Sequence, residues 1–128
     1  MKTMYNNYKI TSVYKGTKNW SYNMDNYNNH TIYITNTITK QKCSFEYWNS
    51  LIEGEITTEK SLMNAVWYFI QCALTGLIEY EEFIDEFGKN KNSKKTYNSC
   101  KKALEKYNRV FMEDIYEIIE NLENEYDF

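Results

Sequence analysis

Side chains able to do chemistry are few in this 128-residue chain, and most are carboxylates. Glu81 and Asp85, like Glu82 and Glu86, stand one helical turn apart, a spacing that could hold two carboxyls at the fixed gap hydrolysis needs. Amphipathic patterning alone produces the same spacing, because a helix with one apolar stripe places acids at i and i+4 on its wet side. His30 is the single histidine, and no nucleophile motif surrounds Cys43, Cys72 or Cys100, so a Cys/His/acid triad has nothing to assemble it. A structural place at a strand edge is the expectation for His30. Widely separated cysteines and one histidine also lack the paired spacings of a zinc site. With only four glycines, no phosphate-cradling loop of the G-x-x-x-x-G-K or G-x-G-x-x-G kind is present. The reading is non-enzymatic, with no catalytic residue, no metal and no cofactor.

Binding is a better use of these side chains, because the net charge of −3 conceals strong segregation. Residues 1–45 hold six Lys and one Asp, and residues 46–88 hold nine acids and one Lys. Residues 89–109 hold eight bases and one acid, and residues 110–128 hold seven acids and no base. Such blocks either neutralise one another inside the fold, the commoner use of surface charge, or present one-signed faces to a partner. The densest acidic set is Glu79, Glu81, Glu82, Asp85 and Glu86. The densest basic set is Lys94, Lys95, Lys101, Lys102, Lys106 and Arg109, with Tyr97 and Tyr107 among them. Nucleic-acid-binding domains typically have a pI above about 9, whereas this chain lies near 5.2, so direct nucleic-acid contact through residues 94–109 ranks second. The reverse arrangement is open: clustered carboxylates imitate a phosphate backbone and occupy a nucleic-acid groove on another protein.

These sets must be positioned by the most apolar stretch, LMNAVWYFIQCALTGLI from Leu62 to Ile78. Leu62, Val66, Phe69, Ile70, Ala73 and Leu77 recur at three- and four-residue steps and so stack on one side of a helix. Trp67, Tyr68 and Leu74 widen that stripe, as in a helix covered on more than one side. A membrane span is disfavoured, since these 17 residues fall short of the roughly 20 needed and include Asn64 and Gln71. Thr57 or Thr58 serves as N-cap and Glu59 occupies the first turn, where the dipole favours it. Gly76 weakens the far end and invites a bend before a separate short helix, YEEFIDEFG. In that segment Tyr80, Phe83, Ile84 and Phe87 face inward, and Gly88 stops it.

Upstream the period changes to two. Tyr8, Ile10, Ser12 and Tyr14 alternate with Lys9, Thr11 and Val13, and Gly16 closes the run as a turn residue. Trp20, Tyr22 and Met24 share a face in a second run, and Asp25 to Asn29 turns the chain. HTIYIT and, after a turn at residues 36–40, KQKCSFEYW complete three or four antiparallel strands. Downstream, Asn92 or Ser93 caps a helix whose stripe is Tyr97, Cys100, Leu104, Tyr107 and Phe111. A last helix over residues 113–125 turns Ile115, Ile118, Ile119 and Leu122 inward. Its acids and the preceding bases suit an antiparallel pair.

The architecture expected is therefore α+β in a single domain of residues 1–128: an antiparallel sheet in residues 1–48, then about four helices in residues 57–125. Aromatics make 17% of the chain and should fill much of its core. Three unpaired Cys and the absence of an apolar leader at the N-terminus point to reduced thiols in a cytoplasmic protein.

GLIEYEEFIDEFG (76–88) followed by NSKKTYNSCKKALEKYNRVF (92–111) resembles a family of small phage and prophage proteins. They share an aromatic-acidic helix of F-E-E-F-x-x-E-F-G type, a polar turn and a Lys-rich, Tyr-containing helix. FEYWNS and the β-rich first third fit as well, and the likeness covers roughly residues 45–122. Where the family commonly continues Gly-Tyr-Asp-x-Asp-Ser, this chain has Lys89, Asn90, Lys91 and Asn92, a departure that argues against an acidic or metal role for that turn. The resemblance implies viral origin. Small phage accessory proteins without catalytic residues are often inhibitors of host defence, anti-CRISPR proteins among them. The expectation is thus a cytoplasmic inhibitor that acts in the bacterial host without a membrane. It binds a host defence protein such as a CRISPR effector through the 79–86 acids, with nucleic-acid binding through residues 94–109 as the alternative.

Overall fold

A computed structural model describes residues 1–19, 26–88 and 91–128, with the side chains of 18, 19, 83, 87 and 91–93 outside that description. Four strands come first: β1 (Lys2–Tyr5), β2 (Tyr8–Asn19), β3 (Asn26–Asn36) and β4 (Lys42–Ser50). Three helices follow: α1 (Glu59–Phe87), α2 (Lys91–Phe111) and α3 (Ile115–Tyr126). The α+β expectation of a sheet followed by helices is met, with three helices in place of about four. The chain divides into two compact units, residues 1–65 and 66–128, and α1 crosses from one to the other.

In the first unit the strands form an antiparallel meander in the order β1-β2-β3-β4. Register sets one apolar face: Ile10 opposes Ile34, which opposes Cys43, and Ser12 opposes Ile32, which opposes Phe45. All six are buried. The β1–β2 hairpin turns through Asn6 at φ 52, a left-handed conformation that Asn tolerates better than most residues. The expected turn at 36–40 is present: Asn36 Oδ1 accepts from the amides of Ile38 and Thr39 at 3.0 and 3.1 Å. Gly16 does not end its strand; at φ 90 it sits in a bulge between Tyr14 and Thr17, after which β2 pairs on to Asn19. Nor do Asn26 to Asn29 form a turn. They are the first residues of β3, with Asn28 buried between β2 and β4 and Asn29 buried in pairing with β4. Composition misleads there, because Asn clusters favour turns only when no ladder competes for their backbone. The expected strand at Trp20, Tyr22 and Met24 lies outside the described residues.

Thr58 begins α1 as its N-cap, its Oγ1 accepting from the Ser61 amide at 3.1 Å while its carbonyl accepts from the Leu62 amide at 3.1 Å. The helix then continues unbroken for 29 residues, so YEEFIDEFG is its last turns and not a separate element. Gly76 accounts for this. A Cβ there would meet Cys100 Sγ of α2 at 3.0 Å, so the glycine provides room for close helix packing where a bend was expected. Gly88, at φ 80, ends α1 with its amide donating to the Ile84 carbonyl at 2.8 Å. Leu62, Val66, Ile70, Ala73 and Leu74 are buried as the spacing predicts, and Phe69 and Leu77 are half-buried. Tyr68 and Cys72 are exposed, so the stripe is narrower than expected. By length and composition α1 is apolar enough to cross a membrane, and the shortness used above against a span does not hold. Asn64 and Gln71 lie inside the apolar stretch.

In the second unit Phe69 meets Tyr107 with ring centres 5.2 Å apart, Gly76 meets Cys100, and Tyr80 meets Tyr97 at 5.5 Å. These pairs ascend on α1 as they descend on α2, so the two helices run antiparallel. The start of α2 at Lys91 puts Asn92 and Ser93 inside its first turn, not at its cap. Asp114 caps α3 by accepting from the Tyr116 amide at 2.8 Å. The four apolar positions expected inward on α3 are buried. Its far end reaches back to α1, where Trp67 Nε1 donates to Glu123 Oε1 at 3.2 Å and the Phe128 ring lies 5.8 Å from the indole.

Candidate functional site

The acidic set lies on the last turns of α1. Glu79, Glu81, Glu82, Asp85 and Glu86 are all exposed on the last turns of α1. At 3.6 residues per turn they fall within roughly 160° of the helix circumference and span about 10 Å of its axis. Among the described residues none of the five is tied up in an ion pair or hydrogen bond. Among the described residues, the internal neutralisation of charge blocks expected from sequence is therefore not made by direct ion pairs of these carboxylates.

One edge of this face opens into a recess of about 350 Å³ between α1 and α2. Tyr80, Glu81 and Asp85 line it from α1, and Lys94, Tyr97 and Asn98 line it from α2. Tyr80 is 6% exposed, yet among the described residues its hydroxyl has no hydrogen-bond partner, and burial pushes that hydroxyl above its ordinary pKa of 10.0. A buried, unpartnered hydroxyl is unusual, because folding leaves it without the water it gave up. Sequence reading placed Tyr80 on the inward face and missed this role, which depends on where α2 returns. Phe83 and Phe87, also expected inward, lie outside the described side chains.

The basic set is distributed differently. Lys94, Lys95, Lys101, Lys102 and Arg109 are exposed and Lys106 is half-buried. Lys102, Lys106 and Arg109 border a shallow hollow of about 450 Å³ whose fourth wall is Glu105. The stripe is real, but a carboxylate interrupts it.

His30 is not at a sheet edge. It lies in interior strand β3 with 0% exposure, opposite Tyr14 on one side and Tyr47 on the other. Its Nε2 accepts from the Ile56 amide at 3.2 Å, which ties the loop before α1 to the sheet. Burial lowers its pKa from the usual 6.5, against smaller raising effects of the Glu55 carboxylate and the Tyr47 backbone. Nearby, Asn49 Nδ2 donates to the Gly54 carbonyl at 2.9 Å. These are fastenings for a loop. No disulfide joins the three cysteines, of which Cys43 is buried, Cys100 half-buried and Cys72 exposed. Among the described residues no cluster of His, Cys, Asp and Glu could hold a metal. Compared with family models, with curated proteins and with solved structures, the chain matches none.

Proposed function

We propose that this chain is a non-enzymatic binding module, a phage accessory protein that inhibits a host defence protein by occupying its nucleic-acid or partner surface. A CRISPR effector is the leading class of target. The observation that carries the reading is the set of five exposed carboxylates at the end of α1, none of them paired among the described residues. Spread over about 10 Å of axis, they give roughly one negative charge per 2 Å, close to the 1.7 Å axial charge spacing of duplex DNA. A basic groove built for phosphates meets a comparable charge density on a rod of about a helix's width. The attraction is local, so a net charge of only −3 does not oppose it.

Parent protein and a variant carrying Glu81→Lys, Glu82→Lys and Asp85→Lys, used to capture proteins from host lysate beside mobility shifts on free DNA, test the reading. The parent is expected to retain a host nuclease and leave DNA unshifted, and the variant is expected to lose the nuclease. A DNA shift that depends on Lys101, Lys102 and Arg109, with no host protein retained, would overturn this reading in favour of nucleic-acid binding through α2.

A further inference from the structure

We infer that the recess between α1 and α2 is an anchoring pocket for one arginine side chain of the protein that docks on the acidic face. The inference rests on the docking role proposed for that face and names what fills its edge. Two carboxylates, Glu81 and Asp85, and one ammonium, Lys94, line the recess, so its described side chains carry a charge of −1 that a single cation neutralises. Tyr80 lines the recess with its hydroxyl buried and without a partner among the described residues, so a small shift of the ring lets it accept a hydrogen bond from a donor entering there. A guanidinium suits this arrangement because it offers N–H donors in a plane and no acceptor. Its flat face can lie against Tyr97, whose ring is tilted against Tyr80 with centres 5.5 Å apart. Lysine would bring the charge without the plane, and a phosphate or carboxylate would be repelled by Glu81 and Asp85. A volume of about 350 Å³ admits one long side chain and not a folded segment. Arginine is also enriched at the centres of protein interfaces, where a deep pocket turns one side chain into a large share of the affinity.

The test titrates the full-length protein with a blocked Gly-Arg-Gly peptide and with its neutral citrulline counterpart, following the ring resonances of Tyr80 and Tyr97 by NMR. The arginine peptide is expected to shift both rings with a dissociation constant on the order of 1 mM, and the citrulline peptide to bind at least about tenfold more weakly. Asp85→Asn and Tyr80→Phe should each weaken the arginine peptide several-fold. Tyr80→Phe deletes only an unpartnered hydroxyl, so a melt matching or exceeding the parent's confirms that it stays folded. Equal binding of the two peptides, or binding untouched by both variants, would overturn the pocket. In partner capture, loss with the combined Lys reversal but not with Tyr80→Phe and Asp85→Asn together overturns the pocket and leaves the docking face standing. Capture indifferent to the Lys reversal overturns both.

Discussion

His30 accepts a hydrogen bond from the Ile56 amide at Nε2, so the folded protein holds that nitrogen unprotonated. Its pKa is lowered from 6.5 in the native state, and between the two values the unfolded chain therefore binds more protons. This contribution to stability is complete above pH 6.5 and is lost as pH falls through the lowered native value. Melting temperature should accordingly fall from about pH 7.5 to about pH 5.5, and His30→Gln, which keeps an acceptor for the Ile56 amide, should flatten that dependence. A parent melt that is flat over this range would contradict the assignment. Free thiols lead to a second expectation: a reductant or a chelator should leave the melting temperature unchanged, and a clear drop with either would show a bond or metal that this account lacks. At this scale the sequence was partly legible. The outward acids of residues 79–86 followed from period alone, whereas the burial of His30 followed from a strand pairing that no local pattern announces.

Gly76 shows how elements were misjudged. Its low helix propensity suggested a break, a cost of about 1 kcal/mol relative to Ala that tertiary packing overrides when it brings α2 within reach. Because an added Cβ would meet Cys100 Sγ at 3.0 Å, Gly76→Val should cost about 1–3 kcal/mol by forcing the helices apart. Gly76→Ala made together with Cys100→Ala should instead gain up to about 1 kcal/mol from helix propensity. Urea denaturation of the two variants separates these outcomes, and equal destabilisation would mean that α1 and α2 do not approach at Gly76. Asp114→Ala should cost about 1 kcal/mol through loss of the α3 cap. Helix stripes were legible because burial repeats every three or four residues, and Val66, Ile70, Ile118 and Leu122 are buried where spacing put them. Strand ends were not, since Asn-rich ends read as turns until a partner strand claims their amides, as β2 and β4 do at Asn28.

For the whole molecule, the segregated charge is the feature that most directly joins sequence to proposed function. The blocks were visible by counting, but whether they neutralise each other depends on which helices meet, and α1 meets α2 with its 79–86 carboxylates left outside. The recess beside them was invisible for the same reason, being made of residues 80–85 and 94–98 brought together only by antiparallel packing. Binding through this face should weaken as salt rises, because attraction between exposed charges is screened over about 8 Å at physiological ionic strength. The most direct measurement is the plating efficiency of a phage on a CRISPR-immune bacterial host expressing either the parent chain or the variant with Glu81, Glu82 and Asp85 changed to Lys, after melts show the two to be equally folded. The parent is expected to restore plaques and the variant is not. Plaques absent with the parent, or restored equally by the variant, would contradict it.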